Sequence, residues 1–438
     1  MEAMHRKHRS SPLPEWAIPL CYVVVSLALG LTLPRLERTF LPESTATVSA
    51  GVALTLFSSI TSGMIALTGI VFSLAFVMVQ FSAVAYSPRL VMWVSRDPVL
   101  WHSIGIFTAT FLYSIGVMAW IDRAGSGKVP FLSGWVVILL TLASVFIFIA
   151  LIQRLTLLQI SRMLSFTGDL GREVIEKLYP PIDTPASVAG SDEFEVAAVT
   201  QTVVHSGGPQ SLQSIDTAAL LATTLQSGSS VEVLVSVGDT LISGMPMLRV
   251  FGGNYPVTDE IWKQAFETGE ERTFDQDPKY GIRLLVDIAI KALSPAINDP
   301  TTAVQALDQI QDHLLRLGRR RLEIGAVRDA NGALRLIVPY PSWEDFLHLA
   351  LDEIRFCGAT SVQVMRRMRA LTGDLIAALP AERHAGLEYH QKRLDAIIGR
   401  SFADDEDKRE ASMEDRQGLG IPKADRHKTA DASRQTKS

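Results

Sequence analysis

From Ser44 to Pro88 the chain carries no Asp, Glu, Lys or Arg. A helix of a water-soluble domain keeps a polar, charged face toward solvent. A run this long without formal charge therefore belongs in hydrocarbon. A spanning helix needs about 20 apolar residues to cross a hydrocarbon core of about 30 Å. A helix from Ser49 to Ser82 would be about 50 Å long at about 1.5 Å per residue. It must protrude, tilt strongly or break near Gly63 or Gly69. Two complete spans and a turn do not fit comfortably.

Three further apolar stretches frame this one, at Trp16 to Leu33, Trp101 to Ile121 and Phe131 to Gln153. The first follows a basic start, His5, Arg6, Lys7, His8 and Arg9, as a secretory signal would. No small-x-small cleavage site precedes Pro34, and more apolar segments follow, so the reading is a retained anchor. Trp16, Trp93, Trp101, Trp120 and Trp135 fall near the expected span ends, where an interfacial aromatic belt sits. The basic residues divide unequally. Arg6, Lys7, Arg9, Arg89, Arg96, Arg154, Arg162, Arg172 and Lys177 lie on one side, against Arg35, Arg38, Arg123 and Lys128 on the other. The bias of nine to four places both termini in the cytoplasm. The expected organisation is a basic N-terminus (1–15), a four-helix transmembrane domain (16–153), a helical extension of the fourth span (154–181), a cytoplasmic α/β domain (182–400) and a disordered tail (401–438).

In the soluble part, Leu155, Leu158, Arg162, Leu170 and Val174 continue a helical pattern out of the bilayer until Tyr179-Pro180-Pro181 stops it. A polar linker follows from Thr184 to Asp192. Strands are expected at Phe194–Val204, Val231–Val237, Leu241–Phe251, Leu322–Val327 and Leu334–Val338. Helices are expected at Asp216–Gln226, Tyr280–Leu293, Pro300–Leu317, Trp343–Phe356, Ser361–Leu379 and from Glu382 to Ile398. Asp299 followed by Pro300 is a strong helix start, because the carboxylate caps free N–H groups and Pro suits the first helical position. Ser342 with Asp345 makes a capping-box pattern. The strands are too irregularly spaced for a doubly wound sheet, so the domain reads as mixed α/β. The hairpin Val237-Gly-Asp-x-Leu-x-x-Gly-x-Pro246 is like one in lipoyl- or biotinyl-type carriers, but no modifiable Lys stands at its tip, which leaves turn chemistry.

Three passages together resemble a known family. They are Gly69-Ile-Val-Phe-Ser with Ser87-Pro-Arg-Leu90, Tyr280-Gly-Ile-Arg-Leu-Leu-Val-Asp-Ile-Ala289, and Ala292-Leu-Ser-Pro-Ala-Ile-Asn-Asp-Pro-Thr-Thr-Ala303. The combination resembles the bacterial domain of unknown function 2254 (DUF2254), over residues 15 to about 400. The resemblance implies a multipass protein of the bacterial inner membrane and brings no activity with it. Its signature residues here are Arg283, Asp287, Ser294, Pro295, Asn298, Asp299 and Pro300, for which helix capping and ion pairing are sufficient structural explanations.

The candidate functional feature is a stripe on the second span: Thr55, Ser59, Ser62, Ala66, Gly69, Ser73 and Gln80, spaced alternately four and three apart and so on one helix face. It can be a close-packing seam or the polar lining of a pore formed by several subunits. Span centres without ionisable residues speak against proton relays and voltage sensors. Arg283, Asp287 and Lys291 share a helix face, expected to be solvated and paired. Arg355 with Arg366, Arg367 and Arg369 forms a basic patch, solvated or docked on anionic lipid. The histidines show no metal-ligand spacing in sequence, and no Walker loop, His-Glu-x-x-His pair or nucleophile elbow is present. Two cysteines, Cys21 and Cys357, fall in different compartments and are not expected to pair. A net charge of -5 gives no sign of nucleic-acid binding. No catalytic, cofactor or metal residues are assigned. The expectation is a non-enzymatic homo-oligomer in the lipid bilayer, conducting or helping transport a solute under control of its cytoplasmic domain. The alternative is a non-conducting anchor that presents that domain to a soluble partner.

Overall fold

The computed structural model describes residues 16–40, 48–85, 98–121, 129–155, 160–184 and 198–419, with the side chains of 78–85 and of Arg154 and Leu155 excepted. The basic N-terminus, Trp93, Arg89, Arg96, Arg123, Lys128, Ser87-Pro-Arg-Leu90 and residues 185–192 of the polar linker lie outside the described residues. The chain divides into two compact units, residues 1–159 and 160–438.

The first unit holds four helices long and apolar enough to cross a membrane: α1 (Ala17–Phe40), α2 (Ala50–Ala85), α3 (Pro98–Met118) and α4 (Phe131–Leu155). The second is one unbroken helix of 36 residues, so of the expected options the break near Gly63 or Gly69 does not occur. α3 is the central element and packs against α1, α2 and α4. Its closest approach is to α1, where a Cβ added to Gly116 would lie 3.0 Å from the Gly30 Cα. Two glycines thus let the backbones touch, the usual route to helix association in lipid. Apolar layers finish the bundle: Ala53, Phe57, Tyr113, Val117 and Val137 in one, and Val71, Leu100, Phe107 and Leu151 in the other. Some polar groups inside it are paired, as Thr110 Oγ1 with Ser144 Oγ at 3.0 Å, whereas the buried hydroxyls of Thr61 and Tyr113 have no hydrogen-bond partner.

Among the described residues, one carboxylate is also buried there. Glu37, near the end of α1, accepts hydrogen bonds from the Leu132 and Ser133 backbone N–H groups at 2.8 and 3.0 Å and from the Ser133 hydroxyl at 2.9 Å. Its carboxylate caps the N-terminus of α4, where free N–H groups and the helix dipole favour negative charge.

The second unit begins with α5 (Ile160–Leu178), which ends just before Tyr179-Pro180-Pro181 as the sequence predicts. The expected helical extension of the fourth span is described as α5 from Ile160 onward, and residues 156–159, where it would join α4, lie outside the described residues. The β region contains β1 (Val199–Val204), β2 (Gln210–Ile215), α6 (Thr217–Ser227), β3 (Ser229–Val233), β4 (Thr240–Leu241), β5 (Pro246–Gly252), α7 (Asp259–Lys263) and β6 (Phe266–Gly269). Later strands β7 (Ala326–Arg328) and β8 (Leu334–Ile337) complete a five-stranded sheet of order β1-β5-β3-β8-β7, antiparallel except for the β3–β8 pair. A three-stranded sheet, β4-β2-β6, shares the same core, with Val203, Leu212, Val231, Leu248, Trp262 and Leu336 inside it.

The remaining chain is helical: α8 (Pro278–Ala292), α9 (Pro300–Gly318), α10 (Trp343–Cys357), α11 (Val362–Ala378), α12 (His384–Ser401) and α13 (Asp405–Ala411). α8 is buried on nearly all sides, with Ile282, Leu284, Leu285, Val286, Ile288 and Ala289 enclosed. It packs against α5, α9 and α10 and so organises the layer. α13 corrects the expectation of a disordered tail from residue 401. Its Ala411 is buried, its Glu410 accepts from Arg366 of α11 at 3.0 Å, and the neighbouring Gly418 lies against Val304. A low apolar count hid a segment held by a few specific contacts.

Candidate functional site

On α2 the six stripe residues whose side chains are described, Thr55, Ser59, Ser62, Ala66, Gly69 and Ser73, are all exposed. At about 100° per residue they lie opposite the face that carries Ala53, Phe57 and Val71, which is buried in the bundle. Gln80 lies on the same helix, with its side chain outside the described set. A Cβ added at Gly63 or Gly69 would meet nothing within 4 Å. Large apolar side chains, among them Leu56, Ile65 and Phe72, are exposed on the flanks. Among the described residues, then, the stripe is not the seam that holds this bundle together; that seam is on the opposite side. The hydroxyls of Thr55, Ser59 and Ser73 each donate to the carbonyl four residues back, at 2.9, 2.9 and 3.0 Å. Back-bonding of this kind lets a hydroxyl sit in an apolar setting without an orphaned donor.

The signature residues sit at the junction of α8 and α9. Asp299 is the N-cap of α9, with Oδ1 accepting from the Thr302 N–H at 3.1 Å and Oδ2 from its hydroxyl at 2.5 Å. Pro300 occupies the first helical position. Asn298, at φ 48°, is the one non-glycine residue with positive φ among those described, and Asn tolerates that region better than most residues. Ser294 closes the preceding turn, its carbonyl accepting from the Ile297 and Asn298 N–H groups at 3.0 and 2.8 Å. Pro295 is exposed. Arg283 donates to Asp287 at 2.7 Å and reaches across to Glu353 of α10 at 3.0 Å. That hydrogen bond to Glu353, with help from Asp287, raises the guanidinium pKa against its burial. The expected solvated face is thus a half-buried tie between helices. The basic patch resolves the same way. Arg355, Arg366 and Arg367 are buried, and Arg367 binds Asp308 of α9 at 2.9 Å.

The structure gathers one constellation that sequence spacing hides. His348 and Asp352 stand one turn apart on α10, and His390 faces them from α12. One donor atom from each lies within 4.8 Å of the others. His348 Nδ1 is 2.9 Å from one Asp352 carboxylate oxygen, and His390 Nδ1 is 3.8 Å from the other. His390 is buried, and its Nδ1 has no hydrogen-bond partner. Burial pushes its imidazole down to about 4. Burial also works to raise the Asp352 carboxyl, but the His348 hydrogen bond and the Arg393 charge outweigh it and hold the group below the usual carboxylate range. The signal in sequence was the His348-x-x-x-Asp352 spacing; its third member is 38 residues further along, on another helix. The other buried histidines bond backbone carbonyls: His205 to Gly208 at 3.2 Å, and His313 to Gly168 at 2.9 Å.

A family profile described as a predicted membrane protein, DUF2254, matches residues 14–373. The chain belongs to this family. The DUF2254 match spans the four apolar helices and continues into α11, so it includes the stripe, the α8–α9 junction, His348 and Asp352 but not His390. Two relatives, uncharacterised proteins of Mycobacterium tuberculosis and Mycobacterium bovis, are 27% identical over 407 residues, covering 90% of this chain and 78% of theirs. No solved structure matches.

Proposed function

We propose that this DUF2254 protein assembles through, or around, the outward face of α2 and serves as a conduit for a small solute or ion, governed by its soluble unit. The carrying observation is that Thr55, Ser59, Ser62, Ala66, Gly69 and Ser73 form one small, hydroxyl-bearing face that the described residues leave uncovered. Lipid gains little from such a face. A second copy does, because small residues let helix backbones approach, and a ring of copies turns the same face toward an axis. The basic-residue bias supports a cytoplasmic placement of both ends in the bacterial inner membrane. The soluble unit, with no catalytic motif in its sequence, is read as a regulatory rather than an enzymatic part.

Reconstituted full-length protein should pass ions or small solutes across vesicles. The double variant Ser62→Leu, Ser73→Leu should lose that passage, since bulky side chains fill the face without adding charge. Unchanged flux in the variant removes the stripe from the mechanism. No flux from the unaltered protein, together with full activity in cells when unrelated spans replace its own, supports the anchor reading instead.

A further inference from the structure

We propose that His348, Asp352 and His390 form a binding site for a divalent first-row transition-metal ion. The proposal is independent of whether the membrane unit conducts.

The donor set is two imidazoles and one carboxylate, the composition that suits zinc, iron, cobalt or nickel rather than calcium or magnesium. Two of the ligands come from one turn of α10 and the third from the packed helix α12, so rigid elements fix their relative position. Zinc bonds to such donors run about 2.0–2.2 Å, so an ion requires neighbouring ligand atoms a little over 3 Å apart. The observed 2.9 Å and 3.8 Å separations bracket that value. At 3.8 Å the His390–Asp352 contact is too long for a hydrogen bond, yet it is a natural edge for a coordination sphere. His390 supplies the decisive detail. It is 4% exposed, its Nδ1 has no partner, and it points at a carboxylate. A buried ring nitrogen left without a partner is uncommon, because each one forfeits a hydrogen bond it had in water. A metal ion would satisfy it, and a neutral imidazole is the form that binds metal. His348 has a side chain 47% exposed, so the site opens to solvent on that side and leaves room for water as a further ligand.

Two positive charges oppose the ion. Arg355 Nη2 lies 3.4 Å and Arg393 Nη1 3.6 Å from Asp352 Oδ1. In the metal-free protein they hold the carboxylate in place; toward a cation they act as repulsion. The site should therefore fill at higher metal concentration than a closed structural zinc site does, and easing the repulsion should tighten it.

The test uses the untagged full chain in detergent with His5→Ala and His8→Ala, which removes N-terminal imidazoles. Cobalt(II) is titrated and its visible d–d absorption followed, with magnesium as a control. One equivalent per chain is expected, undisturbed by excess magnesium and abolished by His348→Ala and by Asp352→Asn. His348 is half exposed, so its loss leaves the fold intact, whereas His390→Ala risks disturbing it. Arg393→Gln should tighten cobalt binding about tenfold, a gain that the loss of an ordinary structural contact does not produce. No saturable band, or a band that persists in His348→Ala, overturns the proposal.

Discussion

At the scale of single residues, the polar side chains that matter most in the soluble unit are caps and buried imidazoles. Asp299 satisfies the first turn of α9 through two contacts to Thr302. Removing an N-cap costs about 1 kcal/mol, so Asp299→Ala should lower the thermal midpoint of this unit by about 2–4 °C in a detergent melt, and Asp299→Asn should recover most of it. His313 gives a pH-dependent counterpart. Its imidazole is fully enclosed, with Nε2–H donating to the Gly168 carbonyl. Burial holds its folded-state pKa below the ordinary value, and the charges of Arg172 and Arg316 add to this against Asp312. As pH falls, the unfolded chain therefore takes up the proton first. The stability His313 contributes is complete above its ordinary pKa of about 6.5 and is lost progressively below it, down to the depressed value. Unfolding midpoints recorded against pH should show that acid limb, and His313→Gln should flatten it. An unchanged limb in the variant would assign the acid sensitivity elsewhere.

Elements were legible in the sequence wherever a local rule decides them. The charge-free run became a single helix, and the Asp299-Pro300 and Ser342–Asp345 starts became caps. The strands β2 and β6 were missed because Gln210–Ile215 and Phe266–Gly269 are short and largely polar and read as loop until each is paired with the other. The arginines of α11 read as a surface patch because nothing in their own helix reveals that Asp308, Glu410 and Asp395 come to meet them from three others. The trio of His348, Asp352 and His390 was hidden for the same reason. For α2 the proposed assembly makes a specific prediction. In a chain with Cys21→Ser and Cys357→Ser, Ser62→Cys should form disulfide-linked pairs in membranes under mild oxidation. Val71→Cys, on the face buried in the bundle, should not. Equal cross-linking at both positions would mean that the outward face has no preferred partner.

For the molecule as a whole, the two units are each held together by different rules. Among the described residues, the membrane unit hides glycine contacts and a capped carboxylate, while the second unit hides a layer of ion pairs between helices. The C-terminal segment is part of the second arrangement. A chain ending after Ala403 would strip Arg366 of its bonds to Glu410. Glu410 is half exposed, so losing its charge-assisted hydrogen bonds to Arg366 costs about 1.5–3 kcal/mol, and the burial of Ala411 is lost with them. The truncated chain should aggregate or melt well below the full one, whereas a chain ending after Leu419 should match it. Equal melting of the two would show that α13 is dispensable.

The hydroxyl protons of Thr55, Ser59 and Ser73 are already spent on their own helix, so at those three positions the face turns oxygen lone pairs outward. On the proposed reading, a passage edged this way offers permeants something to lean on only if they bring a proton to share or a positive charge. Potassium or ammonium should find it more hospitable than chloride does.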